Sequence, residues 1–262
     1  MVMSHLIARG TALVRRPSPR LAEGIVTLIG RTPVDVDLAR AQHDAYRAAL
    51  VAAGWRLHEV APADECPDSV FVEDSVVVSA GTAIMTRSGA PVRRAERAGV
   101  EAAVRELGLP VLRIDEPGTV DGGDILQVGQ TVYVGLGDRT NAAGVEQLAA
   151  HLAPLGRTVV AVPLRGVLHL KSAVTALPDG TVLAWREDQA PFDDPAPPLL
   201  RVPEEAGAHV VPLGGTDVLI ASSAPRTTEL LAQRGLSPVI VDIGEFERLE
   251  GCVTCLSVLI PD

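Results

Sequence analysis

The chain has 262 residues, 47% of them hydrophobic, which is enough to bury a sizeable core and too apolar for a disordered chain. Thirty-three acidic residues against 23 basic ones give a net charge of −10, the basic residues form no run, and aromatics make up only 3%. That balance excludes nucleic acids and anionic membrane surfaces as partners.

In chain order, Met1–Gly10 lacks a basic region followed by an apolar run, so no signal peptide is expected. No uninterrupted apolar stretch reaches membrane-spanning length, so no membrane span is expected either. A first strand is predicted over Thr11–Val14 and a helix over Asp35–Ala53, with Gly54 just past its end. Strands Val76–Val78 and Thr82–Thr86 turn at Gly81, and a helix follows over Arg93–Leu107, ended by Gly108. Strands Ile125–Val128 and Thr131–Val134 turn at Gly129, and Thr140-Asn141 caps a helix over Ala142–Leu152. Strands Ala173–Leu177 and Thr181–Trp185 are joined by the turn Pro178-Asp179-Gly180. The Pro-rich Asp193–Pro198 reads as a surface loop. Strand Val218–Ala221, helix Thr227–Arg234 before Gly235, and a final strand Val253–Ile260 complete the chain.

These elements recur. A polar residue, a hairpin, a helix and a returning strand begin near Gly10, Glu73, Asp121, His169 and Thr216, and the last four starts are spaced 47 or 48 residues apart. Such a period marks a repeat architecture, an open solenoid or a closed propeller. Closure is favoured, because the end modules are no more polar than the middle ones. No linker divides the chain, so a single domain over residues 1–262 is expected.

Equivalent positions of a closed pseudo-symmetric fold face one axis, so Asp68, Glu73, Asp74, Asp121, Asp124, His169 and Cys255 are candidates to meet there. Each also has a plain structural reading. Cys255 lies in an apolar run where an inert thiol is ordinary. Together with Cys252 it forms C-V-T-C, but a zinc site needs a second pair, and a thioredoxin-like pair should open a helix. His169 in "VLHL" fits a satisfied core histidine. Asp121-Gly122-Gly123-Asp124 fits a tight turn whose glycines take positive φ, and calcium would want a longer loop. Asp68, Glu73 and Asp74 fit a solvated acidic face, although the frame "SVFVEDSVVV" makes unpaired carboxylates costly there. Taken together, a cysteine, a histidine and a carboxylate are a nucleophile, its acid/base and the group that orients the ring.

The strings "VRRPSPRLAEG", "DSVFVEDSVVV", "RSGAPVRRAE", "DGGDILQVGQTVYVGLGDRTN", "LHLKSAVTALPDGTVL" and "CLSVLI" span nearly the whole chain. In combination they resemble the dimethylarginine dimethylaminohydrolases of the guanidine-modifying pentein superfamily. That resemblance implies an α/β fold, a five-bladed propeller of ββαβ modules. It implies Cys255 as nucleophile, His169 as acid/base and Asp121 as the carboxylate partnering the histidine. Asp68 and Glu73, with Asp74 beside them, would hold the substrate guanidinium, and Arg93 and Arg139 its α-carboxylate. The backbone of Leu249 would line the pocket, and that of Ile25, or alternatively Leu21, would meet the α-amino end.

The implied reaction is hydrolysis of Nω-methylated L-arginine to L-citrulline and mono- or dimethylamine through a covalent thiouronium on Cys255, with no metal and no organic cofactor. A cytoplasmic monomer or homodimer acting on a small molecule is expected, the unpairable number of cysteines agreeing with a reducing compartment. The rivals are a related deiminase, citrullinase-type hydrolase or amidinotransferase, a non-catalytic guanidine-binding protein, and a thiol protein regulated by zinc on Cys255 and His169.

Overall fold

The computed structural model describes residues 9–186, 192 and 197–262. The leader expectation over residues 1–8, and most of the surface loop expected over Asp193–Pro198, lie outside these residues.

The first strand, β1 (Gly10–Val14), leads to α1 (Val36–Ala52) and β2 (Arg56–Glu59). Next come β3 (Val76–Ser79), β4 (Thr82–Met85), α2 (Arg97–Glu106) and β5 (Val111–Arg113). They are followed by β6 (Ile125–Val128), β7 (Thr131–Leu136), α3 (Ala142–Leu152) and β8 (Thr158–Pro163). A fourth set holds β9 (Val174–Ala176), β10 (Val182–Ala184) and β11 (Leu199–Arg201). The last holds β12 (Val210–Gly214), β13 (Asp217–Ala221), α4 (Pro225–Gln233) and β14 (Ser237–Val241), before the short α5 (Gly244–Glu247) and β15 (Val258–Pro261).

The strands pair into five three-stranded sheets, each with an antiparallel pair and a parallel third strand. In four sheets the three strands are consecutive. The fifth joins the two ends of the chain: β1 pairs antiparallel with β15, Thr11 opposite Ile260, and parallel with β2, Thr11 opposite Arg56. This is the closed arrangement expected from the repeat.

Local sequence explains the helices. Asp35 caps α1 by accepting the N–H groups of Asp37 and Leu38, and Ala39, Gln42, His43, Tyr46 and Leu50 form its buried stripe. Apolar side chains fill wedges between neighbouring blades instead of one central core. Leu13, Val76, Met85 and Val100 form one wedge, and Ile84, Ile114, Val134 and Leu148 form another. One end of the axis carries Glu73, Lys171 and Thr254, and the rest is lined by apolar residues of the first strands such as Val77, Ile125, Val211 and Val258.

Two boundaries depart from expectation. Arg93 lies in a 3-10 stretch, Pro91–Glu96, that feeds α2. The predicted strand Val253–Ile260 is a 3-10 turn, Val253–Leu256, followed by β15. The Cys255 N–H turns back to the Cys252 carbonyl, which an extended strand cannot do.

Candidate active site

The first strand of each blade is preceded by a 3-10 turn: Val72–Ser75, Gly122–Asp124, Leu170–Ser172, Ala206–Ala208 and Val253–Leu256. The turn at 72–75 packs on those at 253–256 and 122–124, and the latter packs on 170–172. Four neighbouring blades thus deliver Glu73 and Asp74, Asp121 and Asp124, His169 and Lys171, and Cys255 to one place.

Asp121 is the hub. One carboxylate oxygen accepts the Gly89 N–H at 3.1 Å, and the other lies 3.2 Å from His169 Nε2 and 3.3 Å from Arg139 Nη1. No other acceptor engages Arg139 among the described residues. Asp74 accepts the Gly123 N–H at 2.9 Å and pairs with Arg93 at 2.5 Å. Arg93 also grips Glu96 with two nitrogens and donates to the carbonyls of Asp68 and Phe71. Asp124 accepts the Thr140 hydroxyl at 2.6 Å and the Leu170 N–H at 3.0 Å.

Glu73 is held by Lys171 on one oxygen and by the Thr254 hydroxyl on the other, at 2.8 Å, which ties it to the residue before Cys255. Asp68 accepts the Ile25 N–H through both oxygens, at 3.0 and 3.2 Å. Beyond Ile25, the N–H groups of Thr27, Leu28 and Ile29 all donate to Glu250. The loop at 25–29 is therefore fastened to Asp68 at one end and to the residue after Leu249 at the other. Leu249 itself is buried.

The two glycines serve close approach, not positive φ. A Cβ on Gly122 would lie 1.9 Å from the Glu73 carbonyl oxygen, and one on Gly123 would lie 2.7 Å from His169 Nδ1. The tight turn is present, but neither glycine has a left-handed backbone, which corrects the expectation of positive φ.

The electrostatics follow from burial among opposed charges. Burial disfavours charge on His169, but Asp74, Asp124 and Asp121 outweigh it and raise the ring to about 9. Burial raises Glu73 to about 6 against the pull of Lys171, and raises Asp124 to about 6 against His169. Burial also raises Asp68, whereas His169 and Arg93 overcome burial at Asp74 and hold it well below the usual carboxylate range. Between the two thiols, 3.4 Å apart, the mutual hydrogen bond lowers Cys252 and raises Cys255: one proton leaves the pair readily, the second reluctantly.

Asp74, Asp121 and His169 bring potential ligand atoms within 4.8 Å of one another, the one such group among the described residues. Both carboxylates already face arginines, so the group is an ion-pair network. Two larger spaces flank the cluster. A cavity of about 550 Å³ is walled by Leu28, Ile29, Leu168, His209, Glu250 and Cys252. A channel of about 310 Å³ along the axis begins at Glu73, Lys171 and Thr254.

The expected charged side chains thus fall into three neighbouring groups, Asp121 with His169 and Arg139, Asp74 with Arg93, and Glu73 with Lys171 and Thr254, while the Asp68 carboxylate bonds the Ile25 N–H. Sequence reading passed over Lys171, Thr140, Thr254 and Glu250. Lys171 was findable, since it lies two residues from His169 at the start of a module; Glu250 carried no such signal.

The arginine deiminase family matches residues 34–187. The N(G),N(G)-dimethylarginine dimethylaminohydrolase of Streptomyces coelicolor is 64% identical over 250 residues, 94% of this chain and 95% of that protein. The protein of the same name from Pseudomonas aeruginosa is 35% identical over 261 residues, 98% of this chain and 99% of its own. A solved structure of the Pseudomonas aeruginosa enzyme, a cysteine-to-serine mutant complexed with citrulline, superposes with a TM-score of 0.87 at 32% identity, covering 97% of this chain and 100% of that one. The five sheets, their closure and these likenesses lead to one statement: the chain belongs to the dimethylarginine dimethylaminohydrolase family of the pentein superfamily.

Proposed function

We propose that this protein hydrolyses Nω-methylated L-arginine to L-citrulline and mono- or dimethylamine. The observation that carries the reading is Asp121, whose carboxylate meets His169 and Arg139 at once. It joins an acid/base to a cation suited to an amino acid's carboxylate, beside acids suited to its guanidinium.

The planar guanidinium enters between Asp68, Glu73 and Asp74, where forked carboxylates match its N–H groups. Its charge, with the imidazolium of His169, favours a thiolate on Cys255. The Cys255 sulfur attacks the guanidine carbon, giving a tetrahedral adduct. His169, raised to about 9 and so protonated at neutral pH, donates its proton to the departing methylamine. A thiouronium remains on Cys255. The now neutral ring takes a proton from water as that water attacks, and collapse frees citrulline and the thiol. Arg139 holds the α-carboxylate. Arg93, engaged by Asp74 and Glu96, serves mainly to keep those acids ionised and aimed. The loop from Ile25 and the backbone of Leu249 close on the α-amino end. We further read the protein as a single-domain cytoplasmic enzyme, the three free thiols supporting a reducing compartment.

The test is incubation with asymmetric dimethylarginine, monomethylarginine, arginine and agmatine, with products identified by mass spectrometry. Citrulline with dimethylamine is expected from the first. Arginine turned over in preference, with ammonia released, would make the protein a deiminase. Arg139→Ala should raise KM for methylarginine and leave a carboxylate-free guanidine unaffected; equal losses on both would return Arg139 to a structural role.

A further inference from the structure

Cys252 and Cys255 begin and nearly end the same 3-10 turn, with their sulfurs 3.4 Å apart. Cys252 caps the turn in extended conformation, so its side chain folds over the residue three positions on. Its own N–H donates to Cys255 Sγ at 3.4 Å, and the Thr254 hydroxyl lies 3.3 Å from Cys252 Sγ. The pair opens a four-residue 3-10 turn that runs into β15, not the helix that a thioredoxin-like pair would open.

A disulfide needs sulfurs about 2.05 Å apart, a closure of little over 1 Å from the observed contact. Nothing stands between them. Cys252 forms part of the wall of the cavity of about 550 Å³, and Cys255 is itself partly exposed, so a small solute can reach both thiols. The mechanism above uses Cys255 and has no task for Cys252.

We propose that Cys252 and Cys255 form a hydroperoxide-reactive dithiol, with Cys252 trapping oxidised Cys255 as a reversible disulfide. With the one proton left to the pair transferred across the 3.4 Å contact to Cys252, the Cys255 thiolate attacks the terminal oxygen of a hydroperoxide, the O–O bond breaks, and the alcohol or water leaves with a proton from solvent. Cys255 is then a sulfenic acid. The Cys252 sulfur attacks it, the S–S bond forms, and the hydroxyl departs with the Cys252 proton as water. Two electrons pass from the sulfur pair to the peroxide. A neighbour already in contact wins this second step against further oxidation, because its effective concentration far exceeds that of free peroxide. The disulfide shuts off turnover, and this consequence rests on the reading of Cys255 as nucleophile.

The test uses the full-length protein in reductant-free buffer with a small excess of hydrogen peroxide, followed by dithiothreitol. The wild-type peptide carrying both cysteines should lose two hydrogens in mass and resist alkylation. Activity should fall roughly tenfold or more and return on reduction. Cys252→Ser and Cys252→Ala, each measured against its own starting activity, should be inactivated without recovery, their Cys255 gaining two or three oxygens. Wild-type peptide that gains oxygen and loses no hydrogen would overturn the proposal. So would recovery of both variants as complete as the wild type's. A disulfide that forms while turnover continues would uphold the dithiol and overturn the assignment of Cys255 as nucleophile.

Discussion

At the scale of single residues, the site is governed by which buried charges have partners. Glu73 is raised to about 6 by burial although Lys171 is bonded to it, so Lys171 is what keeps it ionised at neutral pH. Lys171→Met should push the Glu73 carboxyl higher still and leave it protonated at pH 7. Guanidinium binding then weakens: KM should rise at neutral pH and recover toward the wild-type value in alkaline buffer, with kcat changing less. A KM that stays high across the pH range would mean that Lys171 supports the fold instead. His43 gives the opposite kind of signal. It is buried on α1 without a partner for Nε2 among the described residues, and burial lowers it to about 4 from 6.5. Unfolded chains bind the proton more readily than the native state, so this contribution to stability is present above pH 6.5 and lost as pH falls toward 4. The loss amounts to roughly 3 kcal/mol at about 1.4 kcal/mol per pH unit. His43→Leu should flatten urea-unfolding stability between pH 6.5 and 4, and an unchanged slope would move the acid sensitivity elsewhere. His169 works in the other direction: raised to about 9, it adds stability below pH 6.5 that fades as pH passes 9.

At the scale of elements, the same 3-10 turn recurs before the first strand of each blade, and the side chains it carries differ from blade to blade. The turn Gly122–Asp124 shows why backbone geometry is as specific as side-chain chemistry. Gly123→Ala would place a methyl 2.7 Å from His169 Nδ1 and 2.9 Å from Asp74 Oδ1. Displacing the ring by a fraction of an ångström should lower kcat by roughly tenfold to a hundredfold. The melting temperature should change little in comparison, and near-normal kcat would show that the ring is not fixed by this contact. Much of this level was legible in the sequence. The 48-residue recurrence located the blades that start near Glu73, Asp121 and His169, but Thr216 falls between β12 and β13, inside a blade whose turn is Ala206–Ala208, and Gly10 opens the middle strand of its sheet. The turns themselves were hidden, because "VTCLSVLI" has the β-branched composition of a strand and only the Cys255 N–H to Cys252 carbonyl bond reveals the bend. The third strands were hard to read for a related reason. They are outer, half-exposed and short, as in Arg56–Glu59 and Val111–Arg113, so they lack a buried periodic face.

At the scale of the whole molecule, closure decides how the site is held. Cys255 lies on the turn that enters β15, and the strand partner of β15 among the described residues is β1, about 250 residues earlier in the chain. Ile260 stands opposite Thr11, and Val258 opposite Leu13; both β15 residues pack into the wedge formed with the second blade. The position of Cys255, the proposed nucleophile, is thus set by a contact between chain ends, and it cannot be more stable than that blade. Ile260→Ala removes most of a buried side chain and should cost about 2–4 kcal/mol. If closure couples the blades, this cost appears in one cooperative transition: hydrogen exchange in β1, β4, β7 and β13 accelerates together, and activity declines along the same denaturant curve. In an open array the loss would stay local. Amides of β15 and β1 alone would exchange faster, and turnover would fail at denaturant concentrations where the central blades remain protected. That second outcome would show that the ring of blades is closed in shape but not in energy.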